Sequence, residues 1–438
     1  VADLNDAPAT EPESTKKENR WMLFRNPRFA WLFTAQTLSV MGSQLGGFAI
    51  TVVAVVLLHA TEGEMGVLNA AGTAAFLVVG LLAGAWVDRW VKRRVMIIAD
   101  LVRMVLIGLI PALYLADMLE VWHLIVIGAA VGVATVFFDV AYQSVIPILF
   151  KNEHIAPANS ALETSAQISH ISGPPLAGWL ITIFKAPAVL IFDAISFGIS
   201  ALTLSFIKDD EKPKPLEDRR PLREEIAEGI KFVWNEPIIR AVSFCTSSTN
   251  LFNTIGTTLM AIYVLRELEI SLEAFGLIMT VAGIGGLAGA AMSAKLADWI
   301  GEGQLIAVSA FGSAAAFLMV PLTALADRFW APFILAAIEF VISFFVLTYN
   351  ITQVSARQRI CPKPLLGRMN ASIRFFVWGV MPIGALLSGV LGTAFGSLTT
   401  IIIGGVGMLF ASLFVVLHPL ARMRKLPTAP ENQEVDVA

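Results

Sequence analysis

The sequence predicts an all-α integral membrane protein, with twelve transmembrane helices in two six-helix, pseudo-symmetric halves. Three observations carry that reading. Hydrophobic residues make up 56% of the 438-residue chain and charged residues only 15%, where a soluble domain is nearer a quarter charged; the mean hydropathy is +0.72. The apolar runs have the ~20-residue length of a membrane-crossing helix and far exceed the ~10 alternating residues of a barrel strand. Finally, the chain matches itself when shifted by 210 or 211 residues.

Residues 1–28 are polar ("NDAPATEPESTKKENR"), hold no apolar stretch long enough for a cleavable signal, and read as a disordered tail. The first half, 29–207, is expected to hold spans at 29–58, 66–88, 95–116, 122–150, 160–184 and 188–207. A charged linker with an amphipathic stretch near 222–235 fills 208–237. The second half, 238–419, holds spans at 238–263, 273–298, 304–326, 331–355, 368–394 and 398–419, and a short tail covers 420–438. A bilayer offers backbone groups no water, so each span must satisfy its own hydrogen bonds as a helix.

With the N-terminus in the cytoplasm, the inner segments hold 24 of the 31 Lys and Arg. The outer loops hold three (Lys185, Arg266, Arg328), and four lie in or at the ends of spans. That asymmetry sets both termini inside, in a plasma (inner) membrane. It also explains "GAWVDRWVKRR" (84–94), where the greasy second span ends in an acid and a burst of bases: the bases hold a tight loop on the inner side.

The repeat superposes Pro27 on Pro237, Gly66 on Gly276, Gly84 on Ala294 and Asp88 on Asp298. With one more residue of shift, Asn159 falls on Asn370 and Gly178 on Gly389. Two parallel six-helix halves with a midplane site between them are the architecture of many secondary transporters.

"GAWVDRWVKRR" resembles the signature loop of the major facilitator superfamily: Gly84, Asp88, Arg89, Lys92 and Arg93 match in type, while Trp86 and Val91 depart from it. The second copy, "AKLADWIG" (294–301), keeps the acid and lacks the bases. "ADLVR" (99–103), "FDAISF" (192–197), "LREEIAEGIKFVWNEP" (222–237) and "NSALETSAQISHISGPPLAG" (159–178) are similar to the branch of macrolide-efflux and enterobactin-exporter-like proteins. The resemblance covers about residues 22–420. It implies a major facilitator fold in which Asp88 meets the start of span 11 (366–370) and Asp298 the start of span 5. These contacts would latch the halves closed on the inside, since a carboxylate is favoured at a helix N-terminus. The plainer reading is that Asp88 ends a helix and the bases only set topology. In span 5, "SGPPLAG" with Gly173, Pro174, Pro175 and Gly178 resembles the antiporter signature of exporters, with Ala177 standing where glycine is usual; an ordinary proline kink is the alternative.

Charges inside spans are the sharper clue. A carboxylate at mid-span costs roughly 2.5–3.5 kcal/mol on insertion scales, so it needs a partner, water or a proton. Glu339 lies eight residues into span 10 with no base at i±3 or i±4. It is the first candidate for proton coupling, because burial favours the neutral acid; a hydrogen-bonded structural acid is the alternative. Asp139 in span 4 and His170 in span 5 are further coupling candidates. Asp100 and Arg103, spaced i, i+3, neutralise each other or join the Asp88 network, and Arg374 serves the gate or snorkels inward. Asp193 is expected to reach water at the outer end of span 6, and Glu163 to cap the start of span 5. Gln36, Gln44, Asn250, Asn253, Asn350 and Gln353 are candidates for lining a substrate cavity or for helix–helix hydrogen bonds.

No enzyme motif is present. The sequence has no P-loop, no zinc spacing among five histidines and two cysteines, and no basic field for nucleic acid at a net charge of −3. The expectation is therefore a monomeric transporter in the lipid bilayer. It would need no cofactor or metal, would be driven by a proton gradient, and would export small amphipathic molecules by alternating access. A dedicated siderophore, metabolite or lysophospholipid transporter is the alternative within transport, and a non-transporting sensor or scaffold the alternative outside it.

Overall fold

The computed structural model describes residues 25–87, 90–149, 152–207, 222–362 and 365–429. Among them nine helices are long and apolar enough to cross a membrane. Span 2 (Glu62–Val78 continued by Gly80–Val87), span 5 (Asn152–Phe184) and span 7 (Pro237–Thr257) complete twelve. The others are span 1 (Pro27–Val52), span 3 (Lys92–Leu115), span 4 (Val121–Leu149), span 6 (Ala186–Ser205), span 8 (Leu272–Ile300), span 9 (Glu302–Phe317), span 10 (Ala331–Ile360), span 11 (Leu366–Gly379 continued by Met381–Phe395) and span 12 (Ser397–Val416). The linker helix is Leu222–Asn235. Span 5 starts eight residues before its expected position. Ser160 and Glu163 therefore lie within a helix instead of capping one, because the helix runs beyond its apolar stretch into a polar segment.

The repeat is written into the backbone. Span 1 ends in a π turn at Val53–Leu57 and span 7 leads to one at Tyr263–Glu267, 210 residues on. After each, one non-glycine residue turns left-handed, His59 (φ 52°) and Glu269 (φ 49°). The N–H of Leu58 donates to the Val53 carbonyl at 2.9 Å, and that of Leu268 to the Tyr263 carbonyl at 2.9 Å. Thr61 and Ser271 then cap spans 2 and 8, Thr61 through a reciprocal capping box with Glu64. A π turn admits an extra residue and shifts the carbonyls around it. Both first spans therefore end with their last turn reshaped on the side opposite the chain termini, here called the far side.

The packing divides by level. One core cluster on the far side mixes both halves, with Phe48, Val52 and Val55 from the first against Leu259, Tyr263, Phe275 and Ile338 from the second. On the termini side the cores separate: Phe29, Leu32, Met96 and Phe138 pack within the first half, and Ile239, Cys245, Tyr349 and Met369 within the second. Backbones meet across the halves where glycines allow it. A Cβ on Gly66 of span 2 would lie 2.7 Å from Gly389 Cα and the Ala385 carbonyl of span 11. The pseudo-symmetric crossing places Gly276 of span 8 on Pro174 and Pro175 of span 5, each 3.0 Å from such a Cβ. Gly66→Ala is expected to weaken far-side closure by about 1–3 kcal/mol through overpacking. A distance measurement between labels on the two halves checks this, and an unchanged distance distribution would refute it.

The segment after span 12 folds back as a strap. The N–H groups of Glu302 and Gly303, directly after the second copy of the signature loop, donate to the carbonyls of Arg424 (3.0 Å) and Met423 (3.1 Å). The Glu302 carboxylate accepts from Arg359 at 2.6 Å and from the Leu426 N–H at 3.0 Å. The strap that packs beside this copy carries three bases, Arg422, Arg424 and Lys425. His418 Nδ1 accepts the Leu420 N–H at 3.1 Å, and burial, then the charge of Arg240, lowers its pKa below the ordinary histidine value. The folded strap therefore favours neutral imidazole. Its stability is complete above the ordinary histidine range and declines as pH falls from there through the lowered value. Protection of 419–429 against hydrogen exchange, taken relative to the intrinsic rate at each pH, is expected to fall as pH drops below the ordinary histidine range. In His418→Asn, whose side chain caps at any pH, the protection should not change with pH; a wild-type profile as flat as the variant's would refute the switch.

Candidate functional site

Among the described residues, three cavities between the halves bear on the site. The far-side cavity, about 430 Å³, is lined by Gln44, Phe48 and Thr51 of span 1, Asn69 of span 2, Pro174 of span 5, Thr257 and Thr258 of span 7, Phe275 of span 8 and Glu339 of span 10. Glu339 makes no hydrogen bond or ion pair with any described residue; its carboxylate is held deep in the span and faces this cavity. Span 5 stays helical through Gly173, Pro174, Pro175 and Gly178. Beyond lining the cavity, this stretch packs the halves together: a Cβ on Gly178 would lie 3.0 Å from the Leu272 carbonyl of span 8.

On the termini side a polar cavity of about 770 Å³ is lined by Gln143 of span 4, Asn250 of span 7, Asn350, Gln353, Arg357 and Gln358 of span 10, and Asn370, Arg374 and Trp378 of span 11. An adjoining apolar cavity of about 210 Å³ is formed by Phe76, Leu77, Val136, Val140, Phe375 and Trp378, with Asp139 in its wall. Arg374 borders both and donates across the halves to Gln143 at 3.4 Å. Asp139 and Arg374, expected in different roles, thus share one wall. Asn250 donates to the Val377 carbonyl at 3.1 Å, tying span 7 to span 11.

Other expected residues lie elsewhere. Gln36 and Asn253 line none of these three cavities. His170 is exposed and lines none of them either. Asp100 and Arg103 form a buried ion pair; Ser200 donates to Asp100 at 2.6 Å, and the Arg103 guanidinium lies between the rings of Phe138 (4.3 Å) and Phe197 (4.4 Å). Asp193 does not reach water: it is 2% exposed, pressed against Gly42 and Gly46 of span 1, because spans 1 and 6 approach closely there. Arg93 caps the end of span 6 by donating to the carbonyls of Ser205 (3.1 Å) and Ile207 (2.7 Å), and Lys92 is buried beside it in sequence. Gly84 lies in the helix Gly80–Val87. Asp88 and Arg89 fall outside the described residues, and Asp298 is exposed at the end of span 8.

Two cations were read from sequence only as topological charges. Arg357 lines the polar cavity. Arg266, in the π turn of the second half, crosses to the first half and donates to the Val55 carbonyl through Nε at 3.0 Å and to the Ala60 carbonyl through Nη1 at 2.8 Å. Its position among only three outer-loop bases was the signal available in the sequence.

A helical bundle of two pseudo-symmetric halves enclosing cavities at their interface has a counterpart among known proteins. Residues 32–382 match the family model described as Major Facilitator Superfamily. The chain belongs to the major facilitator superfamily. As a superfamily member it is a multi-pass membrane transporter of small substrates, not an enzyme. It is 27% identical over 426 residues to the multidrug efflux pump Tap of Mycolicibacterium fortuitum, covering 93% of this chain and 99% of that protein. It is 23% identical over 433 residues to the enterobactin exporter EntS of Citrobacter koseri, covering 94% and 97%. The branch expected from the quoted stretches is the one to which such relatives belong. In fold it is similar to a bacterial homologue of the lysosomal transporter Spinster solved in an inward-facing, unoccupied conformation, with a TM-score of 0.72 at 12% identity over 91% of this chain and 98% of that one.

Proposed function

We propose that this superfamily member is a proton-coupled exporter of amphipathic small molecules, sited in the plasma membrane with both termini in the cytoplasm. The observation that carries the reading is the Glu339 carboxylate, which faces a cavity between the halves with no described hydrogen-bond or ion-pair partner. A carboxylate kept in a span without a counter-charge is best accounted for by a proton that comes and goes. The similarity to efflux pumps supports the outward direction. With the termini in the cytoplasm, the joined far-side core and the separate termini-side cores describe an inward-open state. Substrate would then enter the termini-side cavities, and rocking of the halves would carry it outward. Asp139 beside Arg374 is the second coupling residue in this reading, and Asp88 with Asp298 form the inner latch of the opposite state. Gradient energy replaces any cofactor.

The test is flux in proteoliposomes with an imposed pH gradient, using a lipophilic cation, a macrolide and a carboxylate-ended amphiphile as substrates. Accumulation of any of these that collapses with the gradient supports the reading. Gradient-independent flux would remove the coupling, and no flux of any would favour the second reading, a dedicated metabolite exporter, for which the enterobactin-exporter relative speaks.

A further inference from the structure

We propose that the polar termini-side cavity is an anion-accepting head-group site, so that the exported amphiphile carries a carboxylate, phosphate or sulfonate. The inference rests on the export reading only in calling the ligand exported. The cavity, about 770 Å³, has amide and hydroxyl groups and two guanidinium groups in its wall and no carboxylate among its lining residues. Arg357 is partly buried in the last turns of span 10, its Nε is buried without a hydrogen-bond partner, and it forms no ion pair with any described residue. Arg359, two residues on, shows what a base at this helix end does when an acid is within reach: it pairs with Glu302. A partly buried guanidinium without a counter-ion is unfavourable; the dipole at this C-terminal end of span 10 favours the cation but supplies no counter-ion. An anion entering the cavity supplies one, and the fork of the guanidinium suits the planar or tetrahedral oxygens of carboxylate and phosphate.

The surroundings fit the rest of such a ligand. Gln353, one helical turn before Arg357, is 3% exposed and lines the same cavity; its amide N–H group is the donor it can offer the head group, since its buried oxygen is an acceptor. Arg374 approaches from span 11, donates to Gln143 and lines the apolar cavity together with Asp139 of span 4; Arg357 has no ion-pair partner among the described residues. Past Arg374 and Trp378 the polar cavity adjoins the apolar one lined by Phe76, Leu77, Val140 and Phe375. A molecule with an anionic end and an apolar end would lie across both, touching spans 2 and 4 of one half and spans 10 and 11 of the other. The competing role for the two arginines is that of gate cations, which pair across the halves as the cavity closes and bind no solute.

The experiment uses the full chain in nanodiscs of zwitterionic phosphatidylcholine. Two probes share a dansyl group and an alkyl linker; one ends in a carboxylate and the other in an ammonium. Binding is read by energy transfer from tryptophan. The carboxylate probe is expected to bind about tenfold or more tightly than the ammonium probe. Arg357→Gln should weaken the carboxylate probe by about tenfold to a hundredfold and leave the ammonium probe within about twofold. Arg357→Lys, which keeps the charge but not the fork, should recover part of the loss. Equal binding of the two probes, no binding of either, or an unchanged carboxylate affinity in folded Arg357→Gln overturns the site and leaves the gate-cation role. Adding phosphatidylglycerol to the discs separates two sources of the same chemistry: competition with the carboxylate probe assigns the site to a lipid head group, and its absence assigns it to a solute. Proton-driven flux of the ammonium probe alone would keep the export reading while this inference falls, and carboxylate binding without any flux would do the reverse.

Discussion

Glu339→Gln is expected to abolish proton-driven accumulation while leaving substrate exchange across the membrane intact. The amide has the shape of the protonated acid and cannot release a proton, so the variant should behave as a permanently loaded carrier. If Glu339 is the coupling group, gradient-driven uptake should fall by about a hundredfold, close to passive leak, because the step that turns the cycle is missing. Exchange of labelled for unlabelled substrate under no gradient should stay within about threefold of wild type, since rocking of the loaded halves needs no proton movement. Stability should hold or rise, because a buried carboxylate without a counter-charge is replaced by a neutral group. Uptake measured with an imposed pH gradient, paired with exchange at equal pH, separates the two behaviours. A structural acid would give the opposite pattern, with both activities and the thermal stability declining together. Undiminished uptake would move the coupling to Asp139, whose position beside Arg374 is the next arrangement able to exchange a proton for a charge partner.

The contrast between Glu339 and the residues around it shows what a linear sequence carries. Spans, their count and the two-fold repeat are written in hydropathy and in glycine spacing, which report on the lipid and on close backbone contact; the observed helices begin within a few residues of their expected positions except span 5. That helix continues beyond its apolar stretch into a polar segment, where hydropathy has nothing to report. Glu339 was legible because a charge inside an apolar run needs an explanation wherever it points. Asp193 was misjudged because depth along a helix says nothing of which face a residue occupies, and it lies on the face that Gly42 and Gly46 press against. Arg357 was legible only as a base near a helix end. The positive-inside count treats all such bases alike, although one is paired with Glu302 and another faces a cavity. The π turns had no signature beyond the repeat itself, since a π turn differs from an α turn by one extra residue and no particular composition marks it.

Arg266 is where that hidden geometry has its largest consequence, and Arg266→Gln is expected to release the far side. Span 1 reshapes its end at Val53–Leu57, and the guanidinium of Arg266, borne by the matching turn of the other half, gathers the carbonyls of Val55 and Ala60. One side chain thus fastens the first span of one half to the first span of the other, on the side where the cores are joined. The pseudo-symmetric position in the first half is Val56, so no second copy of the latch compensates for its loss. Hydrogen bonds from a charged donor contribute about 1.5–3 kcal/mol each. Arg266 is only partly buried, so a discounted total of about 2 kcal/mol is reasonable, or roughly thirtyfold in the ratio of far-side-closed to far-side-open molecules. Spin labels at Glu120 and Arg328, exposed far-side positions on opposite halves, should report a longer mean distance in Arg266→Gln than in wild type. Arg266→Lys should fall between them, because a compact ammonium on a flexible stem lacks the fork that spans two carbonyls. Uptake should weaken, since a transporter biased to the outward-open state returns slowly to collect substrate. If the glutamine variant keeps the wild-type distance distribution, the glycine crossings at Gly66 and Gly276 hold the far side by themselves, and the Arg266 contacts follow closure without contributing to it.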